Sequence, residues 1–406
     1  VDQRRPAIRA ANPLSRLVAG QPKTSLLYHP RSRSIAFQLI LCALLGFLGY
    51  EAISNAIENL TRSKVASGFG FWNNTAGFDI NQTLIEYSTT STYGRAFWVG
   101  LLNTLLIASL GIFFATVLGF LIGIARLSTN WLLARIAGIY VELVRNLPLL
   151  LQLLFWYNAV LKALPERLDE SISVFGGFLN RRGLFLPQPV GGEGFGLVLI
   201  ALVAGAIAAI GFWIWAKRRQ EKHGKQAPVL IITLLLIFGP PAFAFIATGF
   251  PLEFTYPEKG RFNVRGGIEV LPEFIALLIG LSTYTAAFIA EVVRAGLQSV
   301  SRGQVEAAYS LGMQPRQTLR FVVIPQAMRV IIPPLTNQYL NLTKNSSLAV
   351  AIGYPDLVQI FTGTVLNQTG QAVEVVAITM AVYLTISLIT SLLMNLYNRR
   401  IALVER

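Results

Sequence analysis

The 406 residues carry 34 Lys and Arg against 20 Asp and Glu, a formal net charge of +14, yet only 13% of positions are charged and 53% are hydrophobic. With a mean hydropathy of +0.55 and apolar runs near or beyond the roughly 20 residues that cross a bilayer, the composition excludes a soluble globule and implies a polytopic membrane protein. The basic residues are spread between the apolar runs rather than gathered in one patch, which argues for membrane topology and against nucleic acid as a partner.

Residues 1–35 hold seven basic residues (Arg4, Arg5, Arg9, Arg16, Lys23, Arg31 and Arg33) and lack the apolar core of a signal peptide. They read as an uncleaved, disordered cytoplasmic tail. Eight candidate spans follow, at about 36–54, 96–125, 136–160, 197–216, 228–249, 272–293, 330–352 and 373–397. An even number puts both termini on one side. With the N-terminus in the cytoplasm, 22 basic residues lie inside and ten outside, with Arg145 and Lys344 within spans, so the positive-inside rule favours a multi-pass inner (plasma) membrane protein with both ends cytoplasmic.

Cys42, the single cysteine, falls in the first span, so no internal disulfide forms. His29 and His223 lack the acidic or histidine neighbours of a metal site, and no metal is expected. The long segments 55–95 and 161–195 are rich in Gly, Asn, Ser or Pro and read as irregular loops facing the periplasm. Gly191-Gly192-Glu193-Gly194-Phe195-Gly196 has the wrong spacing for a dinucleotide fingerprint, and no strand is expected before it. No Gly-x-x-x-x-Gly-Lys-Ser/Thr phosphate loop occurs, so any ATP hydrolysis must come from another chain.

Three polar features interrupt the apolar pattern. In the third span, Glu142 and Arg145 lie three apart on one helical face, where they serve either as a structural ion pair or in substrate contact and gating. Pro148 removes a backbone hydrogen bond there and predicts a kink. Between spans six and seven, Glu306-Ala307-Ala308-Tyr309-Ser310-Leu311-Gly312-Met313-Gln314-Pro315 predicts two short rigid helices, with Gly312 just past the first and Pro315 in the first turn of the second. Span seven carries Pro333, Pro334, Asn337, Gln338, Asn341, Thr343, Lys344 and Asn345, too polar to face lipid. Lys344 is either a partner for a substrate carboxylate or a scaffold lysine reaching a carbonyl or the interface. The glycines of span two, Gly111, Gly119 and Gly123, predict close helix packing.

The Glu-Ala-Ala run with Gly312 and the later Ile324-Pro325 resembles the Glu-Ala-Ala loop of ABC importer permeases, the element that docks into the ATPase. Glu142-Leu143-Val144-Arg145-Asn146-Leu147-Pro148-Leu149-Leu150-Leu151-Gln152, Ala290-Glu291-Val292-Val293-Arg294-Ala295-Gly296 and Leu342-Thr343-Lys344-Asn345-Ser346-Ser347-Leu348 are similar to the polar amino acid (histidine, glutamate, glutamine) uptake group. A long chain with an insertion over 161–270 resembles the Q-type subunit of general L-amino acid permeases.

The resemblance implies an all-α fold of about eight transmembrane helices, with a type I importer core of five helices and cytoplasmic coupling helices. The expected organisation is a tail (1–35), an extra span and loop (36–95), a first core segment (96–160), an inserted loop and helix pair (161–270), a second core segment (271–397) with coupling loop 294–329, and a C-terminus (398–406). It implies no catalytic residues and no cofactor in this chain, with ATP and magnesium bound by the partner ATPase. Expected partners are a second, homologous permease, two copies of an ATP-binding subunit and a periplasmic amino acid-binding protein. Substrate-path candidates are Lys344, Asn345, Ser346, Asn341, Glu142, Arg145, Asn146 and Gln152; coupling candidates are Glu306, Ala307, Ala308, Gly312 and Pro315. An ion-coupled secondary amino acid transporter, which also needs broken helices and polar midplane residues, is the alternative.

Overall fold

The computed structural model describes residues 30–62, 67–224, 227–260 and 264–401. The basic tail lies outside the described residues as far as position 29, as does the C-terminus from position 402. The chain divides into two units, Val1–Ser67 and Gly68–Arg406. The first holds α1 (Pro30–Arg62), whose Arg33–Asn55 stretch is long and apolar enough to span a membrane.

The second unit contains α2 (Tyr93–Ala125), α3 (Trp131–Asn146), α4 (Leu149–Leu154), α5 (Phe195–His223), α6 (Val229–Ala247), α7 (Pro272–Gln298), α8 (Arg302–Ser310), α9 (Pro315–Thr318), α10 (Ile324–Asn345), α11 (Leu366–Thr369) and α12 (Ala372–Ile401). With α1, seven helices are long and apolar enough to cross, and the bent pair of α3 with Leu149–Ala163 makes an eighth. The mostly helical architecture, with seven candidate spans or eight when the bent pair is counted as one, agrees with that expected from the sequence. Span seven differs at its start: α9 runs through a π-turn at Leu319–Val323 into α10. The second helix of the coupling loop is thus the beginning of a span rather than a separate short helix. Pro325 does not break it, because it follows directly on the π-turn at Leu319–Val323, where the regular i→i−4 ladder is already interrupted.

Helix α7 is the most buried of the spans. Three neighbours reach it through glycines. A Cβ added at Gly119 of α2 would lie 2.5 Å from Ile289 Cγ2, and one at Gly123 would lie 2.8 Å from the Ala290 carbonyl oxygen. One at Gly296 would lie 2.3 Å from Ile331 of α10, and one at Gly280 2.4 Å from Leu153 of α4. Since lipid offers no hydrophobic incentive for helices to associate, such close backbone approach and the dispersion contacts it allows hold the bundle together. Helices α5 and α6 pack on each other; Gly205, Ala209 and Ala216 are the buried residues of α5, while most of its apolar surface is exposed in the single chain.

The segment 161–195, expected to be irregular, contains four short strands, β1 (Ile172–Val174), β2 (Gly177–Asn180), β3 (Gly183–Leu186) and β4 (Gln188–Gly191), and four more precede α7: β5 (Leu252–Thr255), β6 (Glu258–Lys259), β7 (Val264–Arg265) and β8 (Ile268–Val270). An antiparallel sheet in the order β1-β2-β3-β8 joins the insertion to the start of α7. The β1–β2 turn is made by Phe175 and Gly176, both at positive φ, as a two-residue hairpin requires. Strand β4 pairs with β5 at the ends of α5 and α6. A strand therefore does precede the glycine run, contrary to the sequence reading. Because β4 belongs to an antiparallel hairpin and Gly194 (φ 92°) turns the chain into α5, the run serves as a strand-to-helix turn.

Gly119→Leu forces α2 off α7. It is expected to destabilise the chain by about 1–3 kcal/mol, the usual cost of overpacking, read as a lowered Tm in detergent, whereas Gly211→Leu, with open space at its Cβ, leaves Tm unchanged.

Candidate translocation path and coupling loop

The third span is broken where the sequence places Pro148. Leu147 is extended (ψ 132°), as a residue before proline prefers, and α3 meets the helix after it at 106°. The break leaves carbonyls without intrahelical partners. Gln152 supplies them: its Nε2 donates to the Val144 carbonyl at 2.9 Å and the Leu147 carbonyl at 3.0 Å. A cavity of about 390 Å³ lies against this bend, lined by apolar side chains of α3 and α4 with Tyr140, Gln152 and Thr283. The Tyr140 hydroxyl donates to the Thr283 carbonyl at 2.7 Å, fixing α3 on α7.

Arg145 does not pair with Glu142. Glu142 is exposed without an ion-pair partner among the described residues, while Arg145 lies 3.9 Å from Glu291 and 5.2 Å over the Phe288 ring. Glu291 is bonded by Arg126 at the end of α2 and by Arg294 one turn further along α7. One carboxylate thus gathers guanidinium groups from three helices. Helix spacing alone put the acid and base of α3 on one face; Arg145 instead turns across to α7, where it meets both the Glu291 carboxylate and the face of the Phe288 ring.

Span seven then divides into two faces. Ile331, Ile332, Leu335, Leu342 and Thr343 are buried, whereas Pro333, Pro334, Asn337, Asn341 and Lys344 form an exposed stripe at helical spacing. The Lys344 ammonium has no hydrogen bond or ion pair among the described residues. Asn345 is half-buried, and Ser346 is buried with its hydroxyl donating to the Thr343 carbonyl at 2.8 Å. The structure therefore places Asn341 and Lys344 on one stripe, and Glu142, Arg145 and Asn146 at the exposed end of α3. The cavity at the bend includes only Gln152 of the eight path candidates.

Beyond Ser346 the chain continues as a 3₁₀ segment to Ile352, turns at Gly353 (φ 78°) and restarts at Leu357. Sequence reasoning missed what anchors this restart. Asn103 of α2 donates through Nδ2 to the Pro355 and Gln82 carbonyls, both at 2.9 Å, and Thr104 accepts from the Leu357 N–H at 3.0 Å. Fully buried Asp356 caps the new helix, accepting from Gln359 N–H at 2.8 Å and from the Tyr383 hydroxyl at 3.1 Å. The signal available was a polar Asn-Thr pair inside an apolar span and a Gly-Tyr-Pro-Asp turn between two spans.

The coupling loop has the expected turn. Gly312 adopts φ 76°; Gly312 N–H bonds the Tyr309 carbonyl at 2.9 Å and Met313 N–H the Ala308 carbonyl at 3.2 Å, the two bonds of a Schellman end. Gln314 and Gln317 form a capping box, with Pro315 in the first position of α9. Ala308 is buried, while Glu306, Ala307, Gly312 and Pro315 are exposed and Leu311 is 83% exposed at the tip.

Residues 115–403 match the family described as the inner membrane component of binding-protein-dependent transport systems. The chain belongs to that family. This inner membrane component is 51% identical over 94% of its length, and 95% of the relative's, to the general L-amino acid transport system permease protein AapQ of Rhizobium johnstonii. It is 52% identical to the putative amino-acid ABC transporter permease protein YhdX of Escherichia coli, over 93% and 96% of the two chains. It is 44% identical to the glutamate/glutamine/aspartate/asparagine transport system permease protein BztB of Rhodobacter capsulatus, over 96% and 98%.

Gln152→Leu removes both donors at the bend and leaves two carbonyls unpaired. A loss of about 1–3 kcal/mol is expected, measured by denaturant or thermal unfolding in micelles, with Gln152→Glu, which cannot donate, no better than Leu.

Proposed function

We propose that this chain is the membrane-spanning permease subunit of an ATP-driven importer of L-amino acids, with a broad polar, acidic and neutral range. The observation that carries the reading is the exposed stripe of Asn337, Asn341 and Lys344 on a spanning helix. An ammonium and two amides facing lipid cost several kcal/mol, so this face lines a watered path or meets another permease chain. The names of the relatives supply the substrate class.

In this reading α8 and the Leu311 tip seat in a groove of an ATP-binding subunit, two copies of which hold ATP and magnesium. A helix with a satisfied end transmits displacement that a slack loop would absorb. A second, homologous permease completes the path, a periplasmic binding protein delivers the amino acid, and both termini are cytoplasmic. Nothing covalent happens to the substrate; alternating access moves it. Lys344 would meet the substrate carboxylate, and Asn341, Asn345 and Ser346 would lie along the same route.

The test is radiolabelled glutamate, glutamine and alanine uptake into proteoliposomes holding this chain, its paired permease and ATPase, with binding protein outside and no ion gradient. Uptake only with ATP inside is expected; uptake driven by an ion gradient without ATP overturns the reading in favour of a secondary transporter. Gly312→Val is expected to abolish uptake while the protein still inserts, because a β-branched residue cannot hold φ 76°. Lys344→Met is expected to lower uptake or change its selectivity; wild-type kinetics across the substrate panel would make Lys344 a scaffold residue.

A further inference from the structure

A second polar site lies where the inserted sheet meets the start of α7. The cleft has a volume of about 330 Å³, within the range of small-ligand pockets, and carries charges of both signs. Lys162 comes from the helical turn after α4, Arg181 from the β2–β3 hairpin, Glu269 from β8 and Glu273 from the first turn of α7, with Tyr157 and Asn81 completing it. The insertion contributes the cations Lys162, Arg181 and Arg182 and the carboxylate Glu269, and the core contributes Glu273.

Lys162, Arg181, Glu269 and Glu273 form no ion pair with one another among the described residues, while Arg182, on the same wall, acts on Glu269. Lys162 Nζ donates to Asn158 Oδ1 at 2.8 Å and lies 4.7 Å over the Tyr157 ring, but it has no carboxylate partner among the described residues. Glu273 accepts the Tyr157 hydroxyl at 2.7 Å and has no cation partner among them. Arg181 reaches exposed Glu166 at 3.1 Å, a surface pair of little strength. Partial burial pushes the Glu269 carboxyl above its ordinary range; Arg182 opposes the rise and Glu273 adds to it. A cation arriving between Glu269 and Glu273 would relieve that repulsion. An adjoining cavity of about 170 Å³ shares Asn81, Leu271 and Glu273 with the cleft and continues to Gly353, Pro355 and Gln359, the turn anchored by Asn103.

We propose that this cleft is a reception site for a free zwitterionic amino acid, holding its ammonium between Glu269 and Glu273 and its carboxylate against Lys162 and Arg181. The proposal rests on the amino acid importer reading and adds a second, outer station to it. The site recognises the groups common to every free L-amino acid and leaves the side chain unread, which suits a broad substrate range.

The experiment is equilibrium binding of radiolabelled L-glutamine to the purified full chain in detergent, with N-acetyl-L-glutamine (no ammonium) and L-glutaminamide (no carboxylate) as competitors. The wild type is expected to bind L-glutamine, and either blocked analogue to compete at least about tenfold more weakly, the ratio expected from losing one charge-assisted contact. Lys162→Met and the double variant Glu269→Gln with Glu273→Gln should each lose at least about tenfold in affinity at unchanged Tm, with Lys162→Arg retaining binding. Wild-type affinity in the double variant, or equal competition by N-acetyl-L-glutamine, overturns the proposal. ATP-driven uptake by the complex without binding to this chain also overturns it while leaving the importer reading intact; absence of ATP-driven uptake from the wild-type complex removes that reading itself.

Discussion

Inside a bilayer, backbone polar groups freed by a helix break have no water to satisfy them, and the second unit of this chain depends on meeting that demand at two breaks. At Pro148 the amide of Gln152 bonds two carbonyls from α3 and its end, so the chain bends by 106° without leaving them bare. At Gly353 the side chains of Asn103, Thr104 and Asp356 take up the groups of the turn and of the restarting helix. Both devices use buried polar side chains, each held by more than one contact or by close packing, so each bend has a fixed position. The bend at Pro148 forms a wall of the cavity under α3.

The same economy appears in the charges at the coupling end. Glu291 holds Arg126 and Arg294 directly and draws in Arg145, tying the ends of α2 and α3 to α7. Since α7 leads within a few residues into α8, any displacement of α8 would reach three spans through one carboxylate as well as through the backbone. Removing that carboxylate would leave guanidinium groups crowded together with no counter-charge, which makes the cluster a stiff joint rather than a surface ornament.

What was legible in the sequence follows from how local each signal is. Spans could be read because apolar runs are long, and the Gly312 turn because positive φ and a proline three residues later are chemical requirements of the turn itself. The bend at Pro148 was legible for the same reason. The strands of the insertion were not: three- and four-residue pieces such as Ile172–Val174 are too short to show alternation, and pairings such as β3 with β8 join residues some eighty positions apart. The pairing of Arg145 was misread because spacing on one helix says nothing of a carboxylate on another. Gln152 stood among the path candidates; in the structure its amide is committed to the bend.

The stripe on α10 has a further consequence. Asn337, Asn341 and Lys344 are exposed in a chain whose other α10 face is packed on α2, α7 and α12, so this single chain supplies at most one wall of a polar route. A lone wall in lipid would carry the full cost of an unpaired ammonium, and snorkelling cannot remove the two amides one and two turns away. In the proposed importer reading the opposing wall would come from a second permease chain and would bring water or polar groups to the level of Lys344. A related permease with a similar stripe would do so along the whole length of α10, whereas a single docking helix would cover only a fraction of it.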